Sequence, residues 1–118
     1  MDICDRQELQ ELLKALSKRG GVSVLCAVNK SKIFNEIVEI SGYDRGTVYR
    51  RLEEFVKLGL VLKKYDLESK LLNYIITPTG KRILELLEEI ERVYKERVSL
   101  EEKELKWIEE ALKKKNGS

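Results

Sequence analysis

The chain has 118 residues, 42% hydrophobic and 37% charged, with a formal net charge of +2. That is enough for one domain burying roughly two-thirds of its unfolded surface, and it excludes a disordered chain. With no histidine and only two cysteines, Cys4 and Cys26, the usual zinc sites and histidine-based triads are excluded, and the expectation is no metal, no cofactor and no enzymatic activity.

No apolar run approaches the ~18 residues of a membrane span. The start Met1-Asp2-Ile3-Cys4-Asp5 lacks the basic and apolar regions of a secretory signal. A soluble, cytoplasmic protein without membrane contact is expected. Abundant Lys and Glu, few Asn and Gln and no His resemble the composition of a heat-adapted protein, archaeal or thermophilic.

In chain order, Leu9, Leu12, Leu13 and Leu16 recur at helical spacing before Gly20-Gly21, which predicts an amphipathic helix over 6–19. The run Val22–Val28 lacks alternation and contains Cys and Ala, so it reads as a buried helix with Cys26 as a small core residue and Cys4 as the exposed one. Ser31–Phe34 reads as a short strand. Ile33, Ile37, Val38 and Ile40 then give an apolar face to a short helix ending near Ser41-Gly42.

Asp44 is an N-cap, Val48, Leu52, Phe55 and Val56 repeat with helical period, and Gly59 is a stop, so a helix is predicted over 45–58. The connection Ser41-Gly42-Tyr43-Asp44 is the short glycine-containing turn of a helix-turn-helix. Leu60–Tyr65 and Leu71–Thr77, separated by the polar stretch Asp66–Lys70, predict a β-hairpin. Thr77 caps and Pro78 opens a helix reaching about Arg97, with Ile83, Leu86, Leu87, Ile90, Val93 and Tyr94 on one face. Ser99-Leu100-Glu101-Glu102 is a capping box that starts a last helix carrying Leu105, Ile108 and Leu112 beside Trp107 and Ala111.

This order of elements is that of a mainly α (α+β) winged helix-turn-helix with a hairpin wing and additional terminal helices. Residues 1–98 hold the winged domain and the first dimerisation helix. Residues 99–118 add the C-terminal helix and tail to the same domain.

Ile33-Phe34-Asn35-Glu36-Ile37, Gly42 through Leu52, Gly59-Leu60-Val61 and Tyr74 through Gly80 resemble the small prokaryotic repressors of the MarR, PadR and HxlR type, over roughly residues 30–95. The resemblance implies that the Thr47-Val48-Tyr49-Arg50-Arg51-Leu52 helix enters the major groove. It implies also that Gly59-Leu60-Val61 starts the wing and that Thr77-Pro78-Thr79-Gly80 opens a dimerisation helix.

Charge and helical geometry bear on the same reading. Residues 1–29 carry four charges of each sign and 71–118 ten of each, so the excess lies between Lys30 and Lys70, nine basic against seven acidic. With Val48, Leu52 and Phe55 turned inward, the opposite face presents Arg45, Gly46, Tyr49, Arg50 and Glu53. Arginine can grip guanine bidentately, tyrosine or threonine can reach phosphate or a thymine methyl, and a helix glycine allows close approach. The DNA-binding set is therefore Arg45, Thr47, Tyr49, Arg50 and Arg51 on the helix with Lys63, Lys64 and Lys70 on the wing. Arg51, at the edge, is suited to a phosphate or an internal acid, and Asp66 and Glu68 oppose the wing lysines.

The terminal stripes offer more apolar face than a three-helix core and hairpin can cover. A homodimer would bury Leu87, Ile90, Tyr94, Leu105, Trp107, Ile108 and Leu112 and space two recognition helices roughly 34 Å apart; the alternative is a last helix folded back on its own subunit. The function expected is a homodimeric, sequence-specific double-stranded DNA-binding regulator acting as a repressor, with any effector not legible. The competing reading is a winged-helix protein-interaction module in a larger complex. An enzyme ranks third, because Gly80-Lys81 lacks the flanking residues of a phosphate loop.

Overall fold

Along the chain run α1 (Gln7–Ser17), α2 (Gly21–Lys30), α3 (Phe34–Ser41), α4 (Arg45–Lys57), β1 (Val61–Asp66), β2 (Leu71–Ile76) and α5 (Pro78–Lys95). These come from a computed structural model, which describes residues 6–97 and 106–113; the latter are also helical. Cys4, Leu105 and the Ser99 capping box lie outside the described residues. The chain divides within α5 into two compact units, Met1–Leu86 and Leu87–Ser118.

The first unit is a winged helix. Val24, Leu25, Ala27 and Val28 of α2, Ile37 of α3 and Val48, Leu52 and Phe55 of α4 form its centre, all nearly inaccessible to solvent. Ala15 and Leu16 of α1 and Leu84 of α5 join them, and Leu60, Val61, Tyr74 and Ile76 seal the hairpin side. Burial of such side chains contributes about 1.5–3 kcal/mol each, which is why the apolar stripe of α4 fixes how that helix is rolled.

Local chemistry sets the ends of the elements. Gly42 closes α3 with φ 77°, a left-handed conformation that glycine adopts without a Cβ penalty. Thr77 links two elements: its hydroxyl donates to the Gly59 carbonyl at 2.8 Å and accepts from the Gly80 N–H at 3.0 Å. The end of α4 and the start of α5 are thereby tied together. The hairpin is antiparallel, with Val61 opposite Ile76, Lys63 opposite Tyr74 and Tyr65 opposite Leu72.

Three expectations are corrected. Cys26 is exposed rather than core, because the inward stripe of α2 runs through Val24, Leu25 and Val28 and residue 26 lies about 200° around the helix from residue 24. The strand expected over Ser31–Phe34 shrinks to one bridge, Ile33 to Asn73, with the Tyr74 N–H donating to the Lys32 carbonyl at 2.9 Å. Helix α3 already begins at Phe34, so no further residues are left to extend that pairing. Leu13 and Ile40, expected on apolar faces, are about half exposed. Ile40 lies in the last turn of an eight-residue helix whose buried residue is Ile37.

In the second unit, α5 from Leu87 onward leaves Ile90, Val93 and Tyr94 more than 60% exposed. The Arg97 guanidinium lies 4.0 Å from the centroid of the Tyr94 ring. Trp107 and Leu112 are exposed, while Leu87 and Ile108 are half-buried.

Candidate nucleic-acid interface

The start of α4 is built by its cap. Asp44 accepts the Thr47 N–H at 3.0 Å through one carboxylate oxygen and the Thr47 hydroxyl at 2.7 Å through the other. These bonds, the hydroxyl first, hold the Asp44 carboxyl below its ordinary range, with a further contribution from the Arg19 charge. The Thr47 hydroxyl in turn accepts from Arg50 Nη2 at 3.3 Å. A short chain of bonds thus runs from cap to Arg50 and limits the rotamers of that side chain.

Arg45 is held from the other side of the turn. Its Nη1 donates to Asn35 Oδ1 at 2.6 Å, and its guanidinium lies 4.9 Å from the centroid of the Phe34 ring. With Val48, Leu52 and Phe55 buried, α4 turns Arg45, Gly46, Tyr49 and Arg50 to solvent, Tyr49 at 50% exposure. A cation, a gap without a side chain, a phenol and a second cation share one face of the first two turns. Such a face can hydrogen-bond phosphate oxygens and base edges.

Of the expected contact residues, Thr47 is corrected: it is 3% exposed and its side chain serves the cap. Arg51 also points into the fold. Its Nη2 pairs with Glu54 at 2.7 Å, its Nη1 donates to the Arg19 carbonyl at 3.2 Å, and the side chain is only 12% exposed. Burial pushes the Glu54 carboxyl up, but the hydrogen bond from Lys18 and the Arg51 charge outweigh it, and the net direction is downward. Arg51 therefore takes the internal-acid role.

On the wing, Lys63 and Lys64 lie on opposite faces of β1. Lys63 pairs with Glu53 of α4 at 2.8 Å, and the hydrogen bond it donates to that carboxylate raises its pKa. Lys64 is exposed, and so is Lys70, in the hairpin turn with φ 59°. Asp66 accepts the Glu68 N–H and the Ser69 hydroxyl, and these bonds, the hydroxyl first, hold its carboxyl below the ordinary range, so it stays ionised beside the wing lysines.

Residues that sequence reasoning missed stand beside the exposed face of α4. Asn35 and Phe34 hold Arg45, and Arg19 sits 5.5 Å from the centroid of the Tyr43 ring. Periodicity could have placed Asn35 on the outer side of α3; nothing local marks Arg19. Among the described residues no group of three His, Cys, Asp or Glu could hold a metal ion, and no helix is long and apolar enough to cross a membrane.

No protein-family model and no curated protein sequence matches the chain. Solved structures do resemble it. The diamide-treated YodB of B. subtilis aligns with a TM-score of 0.69 and 18% identity, over 80% of this chain and 96% of that one. The transcriptional repressor BigR of Xylella fastidiosa aligns at 0.59 and 20% identity, over 78% and 90%. BpsR of Bordetella bronchiseptica, whose DNA binding is regulated by 6-hydroxynicotinic acid, aligns at 0.54 and 16% identity, over 97% and 96%. At such identities the likeness is one of fold, and the fold is the winged helix.

Proposed function

We propose that this chain is a sequence-specific double-stranded DNA-binding regulator that acts as a homodimer in the cytoplasm and represses by occupying promoter DNA. The observation that carries the reading is the exposed strip Arg45, Gly46, Tyr49 and Arg50 on a capped helix whose other side is locked into the core. Arg50 grips a guanine edge, Tyr49 meets a phosphate or a thymine methyl, and Arg45, already braced by Asn35, fixes register on the backbone. Lys64 and Lys70 supply phosphate contacts from the wing. The fold shared with a repressor and with a protein whose DNA binding is regulated adds support.

The dimer is supported by apolar surface. Ile90, Val93 and Tyr94 lie exposed on one helix, and Trp107 and Leu112 on another. A second copy would cover them, and two-fold symmetry would then demand a two-fold operator. Selection of bound fragments from a random duplex pool tests both statements. A palindromic enriched motif is expected; absence of any enrichment rejects the reading.

One observation favours a second reading, a winged-helix module that binds protein. Leu67 at the wing tip is 82% exposed, with Leu62 and Tyr65 more than half exposed nearby. Stoichiometric capture of a protein partner, with no duplex retained at moderate salt, would prefer it.

A further inference from the structure

Among the described residues of the first unit, two ion pairs join separate elements. Lys18, the C-cap of α1, meets Glu54 of α4 at 2.6 Å, and Lys63 of β1 meets Glu53 of α4 at 2.8 Å. The pairs along α5, such as Arg82 with Glu85, link residues a single turn apart and stay highly exposed. They can stiffen that helix but cannot orient one element against another.

Glu53 follows Tyr49 by four residues and Arg50 by three, so it continues the exposed strip of α4 toward its C-terminal end. Lys63 stands opposite Tyr74 in the hairpin register, on the face that also carries buried Val61 and Ile76. Tyr74 is itself almost wholly buried. The ion pair with Lys63 places the Glu53 carboxylate at this inner face of the wing, and burial first, then the Glu53 charge, push the pKa of the Tyr74 hydroxyl up. Both members of the pair are about one-third exposed, at 35% and 30%, and thus partly shielded from solvent screening. An ammonium held against a carboxylate presents no net charge to a phosphate.

We propose that Lys63 is a positioning residue: through Glu53 it sets the angle between recognition helix and wing, and it is not a phosphate ligand. This rests on the DNA-binding reading above. Contact with the DNA backbone from the wing then falls to Lys64, on the outer face of β1, and to Lys70 in the turn. The wing and the reading helix move as one body, so the spacing between base contacts and wing contacts is built into the free protein.

The test is a double-mutant cycle read by salt dependence. Wild type, Lys63→Met, Glu53→Gln and the double variant are titrated with a duplex selected by the wild-type protein, over a range of salt concentrations. A phosphate contact contributes about 0.9 to the slope of log affinity against log salt. The proposal expects an unchanged slope in Lys63→Met, with each single variant about threefold weaker, in keeping with a partly exposed ion pair, and the double no weaker than either. It is overturned if Lys63→Met lowers the slope by about 0.9, if Glu53→Gln tightens binding, or if the two losses simply add.

Amide exchange in the free protein keeps the two claims separable. Faster exchange in β1 and β2 of each single variant, and no faster in the double, supports the strut even if wild type retains no duplex, a result that would sink the DNA-binding reading alone. Unchanged exchange in all variants overturns the strut.

Discussion

Arg45 Nη1 and Asn35 Oδ1 meet at 2.6 Å across the turn between α3 and α4. Arg45, the first residue of α4, is thereby held by the helix before it. A flexible arginine must otherwise lose rotamer freedom on binding, about 0.5–1.5 kcal/mol for one side chain. Asn35→Ala is expected to weaken DNA binding by about that amount while shifting stability by less than ~0.5 kcal/mol, as befits an exposed bond. Paired titrations and denaturant melts check it, and unchanged affinity would remove the bracing role.

Gly46 offers a contrasting case, because stability and binding should move in opposite directions. A Cβ there would lie 3.3 Å from an Asp44 carboxylate oxygen and 3.4 Å from Arg50 Nη1, both ends of side chains that can shift. Gly46→Ala is expected to stabilise the fold by up to ~1 kcal/mol through helix propensity. It should weaken DNA binding, since the added methyl fills the gap through which backbone or base edge approaches. A stabilised variant with undiminished affinity would mean that the glycine serves no approach.

Gly80 has no such latitude. A Cβ at this buried position would collide with the Leu60 carbonyl oxygen and lie 2.7 Å from Ile76 Cγ1. Backbone must move to admit it, so Gly80→Ala is expected to destabilise the protein by about 3 kcal/mol. Thr77→Ala, which removes both the α5 cap and the bond to Gly59, should lose about 1 kcal/mol. Equal midpoints in denaturant for wild type and Gly80→Ala would contradict the close packing of α5 on the hairpin base.

What the residues alone could reveal follows the range of the interactions. The Asp44 cap, the Gly42 turn and the α4 stripe are written within a few residues of each other and were legible. Cys26 was not, because a run that is apolar nearly all round gives no phase to say which residue faces out. The partners of Lys63 and Arg45 were not legible either, and for Arg51 the internal acid was legible only as one of two alternatives. Lys18 reaches Glu54 across 36 residues, and Arg51 reaches the Arg19 carbonyl across 32. Charge counts record that acids and bases are present; only the packed helices decide which are spent on each other and which face outward.

Acid sensitivity should trace to the caps and bridges of α4. Asp44 is held below its ordinary value by the Thr47 bonds, and Glu54 ends lower because Lys18 and Arg51 outweigh burial. A carboxyl depressed in the folded state contributes stability that is complete above its unfolded pKa and is lost as pH falls through the folded one. For these groups the loss begins near pH 4 and deepens below it. Thermal midpoints of Asp44→Asn and Glu54→Gln are expected to fall less steeply than wild type over that window. Parallel curves would show that neither carboxylate is stabilised by its partners.

The central claim is that the outward face of α4 reads bases. It is tested most directly by titrating Arg50→Ala, beside a control Lys57→Ala at the far end of the helix, against a selected duplex and its single-base variants. A loss of about 1–3 kcal/mol for Arg50→Ala, with relaxed preference at one base pair, and little change in preference for Lys57→Ala, is the predicted result. Wild-type affinity and wild-type base preference in Arg50→Ala would contradict it.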